Sequence, residues 1–216
     1  LIPNMFPGKG QEPLYNTVDA SLWFINAVYN YLLYANSYEA LEFVEKEVYK
    51  TIKNIIKAYK EGTKFSIKMD EEDSLINAGS GLDQVTWMDV RVNGIVVTPR
   101  HGKPVEINAL WYNALKIAAL LKDKFEKDEK NEYEELAKKV KDSFTKAFWN
   151  EDRKYLYDVV NHNEKDDSLR PNQIWAVSLP FTMLDREKEK YIVQKVFEEL
   201  YTPYGLRSLS RDHKDY

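Results

Sequence analysis

An all-α fold assembled from helical hairpins is predicted by three observations. Six segments carry apolar residues at helical spacing. They alternate between helices apolar over a wide arc and helices with one polar face, and each pair is followed by a loop carrying Trp, Asp, Arg or Asn. The β-like pieces are short and confined to those loops. Apolar helices would line an inner ring and amphipathic ones an outer ring, so the pattern reads as roughly six helices in three hairpins, about half of an (α/α)6 barrel or toroid. A plain bundle would not need three loops of this composition. The loops after the outer helices would emerge at one rim, where a cleft is expected.

Each element has its own signature. Residues 17–35 read as a buried helix, with Thr17 or Asp19 at its start and Leu22, Ile25, Val28, Tyr29 and Leu32 along it. Ser37 caps a second helix over 38–60, whose polar face carries Glu42, Glu45, Lys46, Lys50 and Lys53 and which stops at Gly62. Residues 63–103 are punctuated by Gly79, Gly81, Gly94, Pro99 and Gly102, with β-like pieces at 64–69 and 94–98; ordered loops this long are usually functional. A third helix follows Pro104 over 105–124, and a fourth, amphipathic, covers 129–148. A β-like run from Tyr155 to Val160 leads to a strongly apolar fifth helix at 171–184 and an amphipathic sixth at 186–201.

Composition narrows the function classes. Hydrophobic residues make up 44% of the 216, enough for a real core. The net charge of −4 argues against a nucleic-acid partner, which needs a basic face. There is no Cys, hence no disulfide, thiolate nucleophile or Cys-ligated metal, in keeping with a cytoplasmic setting. No apolar run approaches the roughly 20 residues of a membrane span. The three His, at 101, 162 and 213, have no ligand spacing, so neither metal nor cofactor is expected. Aromatics reach 13%, which suits either a sugar cleft or a helical core of large side chains; composition alone favours the core. The chain begins at Leu1 in a Pro/Gly loop and closes on polar Arg211–Tyr216, so residues 1–216 read as one partial domain cut at both ends.

The chemistry-bearing residues gather in the loop after the second helix and around the third helix. Asp89 follows Trp87 and Met88, and a carboxyl beside an aromatic wall can stay protonated near neutral pH, as a general acid must. Asp83, in Gly79-Ser80-Gly81-Leu82-Asp83, is the competing carboxyl. Glu106 and Asn108 lie in the first turn of the third helix, where an acid can also serve the helix dipole alone. Trp87 and Trp111 are open to stacking or packing, and Trp23 is assigned to the core. Arg100 is suited to sugar hydroxyls or to orienting Asp89 from an offset. In Leu169-Arg170-Pro171-Asn172-Gln173, Pro171 sets a helix start and Arg170, Asn172 and Gln173 supply mixed donors and acceptors; bracing is an equal reading for Arg170.

Six stretches carry a family resemblance: Asn16-Thr-Val-Asp-Ala-Ser-Leu-Trp-Phe, Thr86-Trp-Met-Asp, Thr98-Pro-Arg, Lys103-Pro-Val-Glu-Ile-Asn-Ala-Leu-Trp-Tyr-Asn, Ser168-Leu-Arg-Pro-Asn-Gln and Thr202-Pro-Tyr-Gly-Leu-Arg. In order and spacing they resemble the amylo-α-1,6-glucosidase domain of glycogen-debranching enzymes, within the glucoamylase-like six-hairpin glycosidases. The resemblance implies an (α/α)6 barrel and metal-free hydrolysis, with inversion, of α-1,6-linked glucose at branches of glycogen or limit dextrin. It implies Asp89 as the acid, Asp19 as a carboxylate on hydroxyls of the terminal glucose, and Glu106 as a substrate or supporting residue. The family's base lies beyond a His-Gln-Gly-Thr-Val-Trp-Pro segment that this sequence lacks. The Gly79–Asp83 stretch also resembles a trehalase-like loop, which keeps Asp83 and a trehalase- or glucoamylase-like hydrolase as alternatives, beside a non-catalytic glycan-binding domain. Half a barrel would expose inner apolar surface, so the isolated chain is expected either to form a homodimer or to belong to a larger protein.

Overall fold

The computed structural model describes residues 1–127, 130–162 and 164–216. The first hairpin runs from α1 (Ala20–Ala35) through a left-handed Asn36 to α2 (Tyr38–Phe43), a π-helical turn (Val44–Val48) and α3 (Tyr49–Glu61). Ser37 caps α2 as expected, its Oγ accepting the Ala40 N–H at 3.2 Å. Along α3, Tyr49, Ile52, Ile55, Ile56 and Tyr59 form one buried stripe at three- and four-residue spacing.

Residues 62–104 hold five short strands: β1 (Lys68–Met69) with β2 (Ile76–Asn77), the hairpin β3 (Val90–Val92) and β4 (Ile95–Val97), and β5 (Lys103–Pro104). Asn93 and Gly94, both at positive φ, make the two-residue turn of the β3–β4 hairpin, which matches the twist of its strands. Gly102 (φ 112°) could not carry a side chain, because a Cβ there would lie 2.8 Å from Asn161 Cβ and 2.9 Å from the Val160 carbonyl.

The second hairpin is α4 (Val105–Phe125) and α5 (Glu132–Phe148). The start expected for this fourth predicted helix, residue 129, lies outside the described residues. Helix α4 is buried almost all round because it packs on α1, α3, α5 and α6 together, so it is the axis of the core. Strands β6 (Trp149–Asn150) and β7 (Tyr155–Leu156) pair next, and β8 (Val159–Asn161) joins β5 to β9 (Glu164–Asp166) in a three-stranded sheet.

The third hairpin differs from expectation. The segment predicted as one helix over 171–184 is a 3₁₀ turn (Pro171–Ile174) and a single turn, α6 (Trp175–Ser178). Pro180 explains the stop: it supplies no N–H and drives Leu179 to extended backbone (φ −69°, ψ 156°). Helix α7 (Arg186–Leu200) buries only Ile192, Val196 and Leu200, and a ribbon of β10 (Tyr201–Thr202) and β11 (Gly205–Leu206) follows. About half of the described residues are thus helical, with α4 touching α1 and α6 of the other two hairpins. Among the described residues no helix is long and apolar enough to cross a membrane.

Candidate active site

Two helix starts and two loops converge on a cleft of ≈ 390 Å³, walled by Asp19, Trp23, Trp87, Pro171, Asn172 and Trp175. Its size lies in the range of about 300–1,000 Å³ typical of small-molecule sites. Asp19 stands at the N-cap of α1 but makes no capping hydrogen bond, so its carboxylate is not spent on the helix. Trp23, one turn on, meets Trp175 edge to face at 4.8 Å. Trp23 packs against the hydrophobic core as expected and, being only partly buried, also forms a cleft wall. Trp175 is a site residue that sequence reasoning missed, since at the head of a short apolar run nothing separates a wall from a packing residue. The cleft is apolar on several sides with one unpaired carboxylate, a combination able to take apolar C–H faces and hydroxyl groups together.

Behind the cleft lies a chain of buried polar groups. The Trp87 indole N–H donates to Asn172 Oδ1 (2.9 Å), and Asn172 Nδ2 donates to Asp158 Oδ1 (2.7 Å). Asp158 accepts from Arg100 Nε (2.8 Å) and Nη2 (3.2 Å), while Arg100 grips both oxygens of Glu106. Strand β5 leads directly from Arg100 into α4, which carries Glu106, and its partner β8 follows Asp158, so sheet pairing brings the three together. Arg170 Nε lies 3.8 Å from Asp158 Oδ2, and the four charges cancel, as burial requires. Burial works against the Arg100 charge, but Glu106 and Asp158 outweigh it and hold the guanidinium more firmly protonated than usual. Burial also pushes the Glu106 carboxyl above the ordinary glutamate range, against the pull of Arg100. Asp158 was not singled out from sequence, although a lone acid inside the apolar run Tyr155–Val160 is a legible sign of a buried charge.

Several expected ligand-binding residues are not open to a ligand. Arg100 is 1% exposed and all its nitrogens are engaged, and Glu106 is spent on Arg100. Asn108 caps the edge of β2, accepting the Ile76 N–H (2.7 Å) and donating to the Ile76 and Pro104 carbonyls. Trp111 is buried, stacked on Tyr59, with its N–H on the Ser74 carbonyl. Gln173 is buried between the Leu156 N–H and the Arg170 carbonyl. In each case β-ribbon backbone or an opposite charge has consumed the polar atoms. Arg170 braces Met88 and the Ser208 carbonyl and sits in the wall of a larger cleft of ≈ 740 Å³ that lacks aromatic walls apart from Tyr216.

Asp89 is 6% exposed and is not among the residues that line the aromatic cleft. Its Oδ2 accepts the N–H groups of Val85 and Thr86 (both 3.0 Å), and its Oδ1 meets only the Thr86 hydroxyl (3.1 Å). The aromatic wall expected beside it is not built by Trp87, which turns outward at 56% exposure. The rival Asp83 closes its own turn, accepting from the Ser80 N–H (3.0 Å). A Ser168–His213–Asp215 line suggests a nucleophile triad, but His213 Nδ1 accepts the Asp215 N–H (3.2 Å), so Nε2 carries the proton and cannot take one from Ser168. Among the described residues no group of three or more His, Asp and Glu is placed to hold a metal ion.

Solved structures share this fold. A rhamnosidase from Klebsiella oxytoca with rhamnose bound is 14% identical with TM-score 0.58, over 84% of this chain and 30% of that one. A GH78 family rhamnosidase of Bacillus sp. GL1 is 14% identical with TM-score 0.62, over 83% of this chain and 17% of that one. At these identities the likeness is one of fold, and the chain spans only 30% and 17% of the two proteins' lengths. No curated protein matches. The model of the amylo-alpha-1,6-glucosidase family matches from residue 1 to residue 216, and the chain belongs to that family.

Proposed function

We propose that this chain is the glucan-binding part of a cytoplasmic glycoside hydrolase of carbohydrate metabolism that releases α-1,6-linked glucose at branches of glycogen or limit dextrin. The observation that carries the reading is the cleft in which the unspent Asp19 carboxylate faces Trp23, Trp87 and Trp175. A glucose ring would stack its C–H face on indole while Asp19 accepts its hydroxyl protons. The three hairpins are read as part of an (α/α)6 barrel, with this cleft at its rim. Family membership supports a glycosidase; the branch specificity and inversion are the finer steps of the proposal.

Asp89 is proposed as the general acid on its matching motif. Oδ2 is pinned by two N–H groups, so Oδ1, with one hydroxyl partner, is the oxygen that would carry the proton. A small turn of the 86–89 loop would be needed to bring it to the glycosidic oxygen. A second carboxylate, activating water on the opposite face of the sugar, completes an inverting pair. The fixed position of Asp89 favours one other reading, a glycan-binding domain without catalysis.

The test supplies the protein that carries this chain with a dextrin bearing single α-1,6-glucosyl branches, and follows glucose by proton NMR. Initial release of β-glucose, reduced about 10²–10⁴-fold by Asp89→Asn, is expected. Release of α-glucose would overturn inversion. Equal release by the variant would remove Asp89 from the mechanism and bring Asp83 forward, and binding without release would favour the glycan-binding domain.

A further inference from the structure

Trp87 stands on an exposed loop, yet its indole is tied into the buried charges by one amide. Asn172 is 1% exposed, with its Oδ1 on the indole N–H and its Nδ2 on Asp158. The direction of that amide is dictated by chemistry: an indole N–H only donates and a carboxylate only accepts, so the amide must point its oxygen at Trp87 and its nitrogen at Asp158. Asp158, 2% exposed, is itself immobilised by Arg100. The line Trp87–Asn172–Asp158–Arg100–Glu106 thus runs from a cleft wall to the first turn of α4, the most buried helix of the fold. Few side chains replace the amide. A carboxylate at 172 would face the Asp158 carboxylate, and an aliphatic residue would leave the indole N–H without its partner. Trp87 also lies two residues before Asp89, which holds the N–H groups of Val85 and Thr86, so the orientation of the indole and of the loop are set together.

We infer that Asp158, acting through Asn172, fixes Trp87 as the wall on which a glucose ring of the branched glucan stacks, so that Asp158 and Asn172 are positioning residues for glycan binding. The inference rests on the glycan-site reading above. It assigns Asp158 a purpose beyond neutralising Arg100: it is the acceptor that orients the amide.

The indole N–H resonances of the five Trp are followed by ¹⁵N-edited NMR in the wild type, Asn172→Leu, Trp87→Phe and the double variant, and binding of the glucosyl-branched dextrin is titrated in parallel. Trp87→Phe identifies the Trp87 signal and keeps a ring without its N–H. In Asn172→Leu the Trp87 signal should move upfield while the other four hold, which also reports an intact fold. Each single variant should weaken binding about five- to tenfold, the scale of one lost hydrogen bond, and the double variant should be no weaker than either. Should Asn172→Leu fail to fold, Asn172→Ala, which also removes the acceptor of the indole N–H, gives the second reading, with the same upfield direction expected. An unmoved Trp87 signal, or losses that multiply in the double variant, would overturn the inference. If the Trp87 signal moves but the wild type does not bind the dextrin, the relay stands as structure and the glycan reading, with the binding role built on it, falls.

Discussion

Two aspartates at helix starts are used in opposite ways. Asp185, at the N-cap of α7, accepts the Lys188 N–H at 2.9 Å and is held below the ordinary carboxylate range by its hydrogen bonds to Lys188. Asp19, at the N-cap of α1, caps nothing. Asp19→Ala should therefore leave stability within about 0.5 kcal/mol of wild type while weakening dextrin binding, and Asp185→Ala should lower the melting temperature without touching binding. Thermal melts beside a dextrin titration check both, and a large stability loss for Asp19→Ala would mean that its carboxylate serves the fold. Asn108 is the converse case. Its amide holds the Ile76 N–H and carbonyl, so Asn108→Ala should cost about 1–3 kcal/mol in urea unfolding by stranding buried backbone groups. A neutral outcome would show that water or another group replaces the amide.

At the scale of elements, the long loop between the first two hairpins is held by Lys103 in β5. Its ammonium reaches Asp70 (2.7 Å) and Asp73 (2.6 Å) at the turn between β1 and β2. The hydrogen bond from Lys103 keeps the Asp70 carboxyl below its usual range, and Lys53 does the same for Glu126 beside α4. A folded-state value below the unfolded one means that the folded protein binds fewer protons. This stability is fully present above the ordinary carboxylate pKa of about 4 and is lost as pH falls through the lowered values. Lys103→Met should shrink the difference in urea midpoint between pH 5.5 and pH 3, and an unchanged difference would deny Lys103 this part in acid stability. Helix periodicity in the sequence located the first four predicted helices well, because each has a long apolar stripe, and Ser37 and Asn131 cap two of them. It overran at 171–184, where apolar residues continue past Pro180 for packing rather than for helix, as buried Met183 and Leu184 show.

At the scale of the molecule, α1, α2 and α7 leave large apolar side chains in water. Tyr34 is 88% exposed and Tyr38 74%, and Leu33, Phe43, Val193 and Phe197 add to them. Large apolar side chains left exposed in this number point to interaction faces. We expect the chain alone to associate, with a light-scattering mass that climbs with concentration; a constant monomer mass at tens of micromolar, on the scale of usual interface affinities, would overturn that expectation.

The sequence by itself determined the helical class, the hairpin order and the family, because hydrophobic period, caps and contiguous motifs are local properties of the chain. It also marked Asp19, Trp87 and Asn172. Tertiary structure alone decided which polar residues of those motifs line the aromatic cleft. Arg100, Glu106, Asn108 and Trp111 sit in the same motifs but are consumed by partners far along the chain, Asp158 for Arg100 and Ile76 for Asn108 among them. Trp23 and Trp175 become cleft walls only because α1 and α6 meet. A motif fixes which chemistry is present, whereas burial and hydrogen-bond partners, set by contacts distant in sequence, fix what that chemistry is free to do.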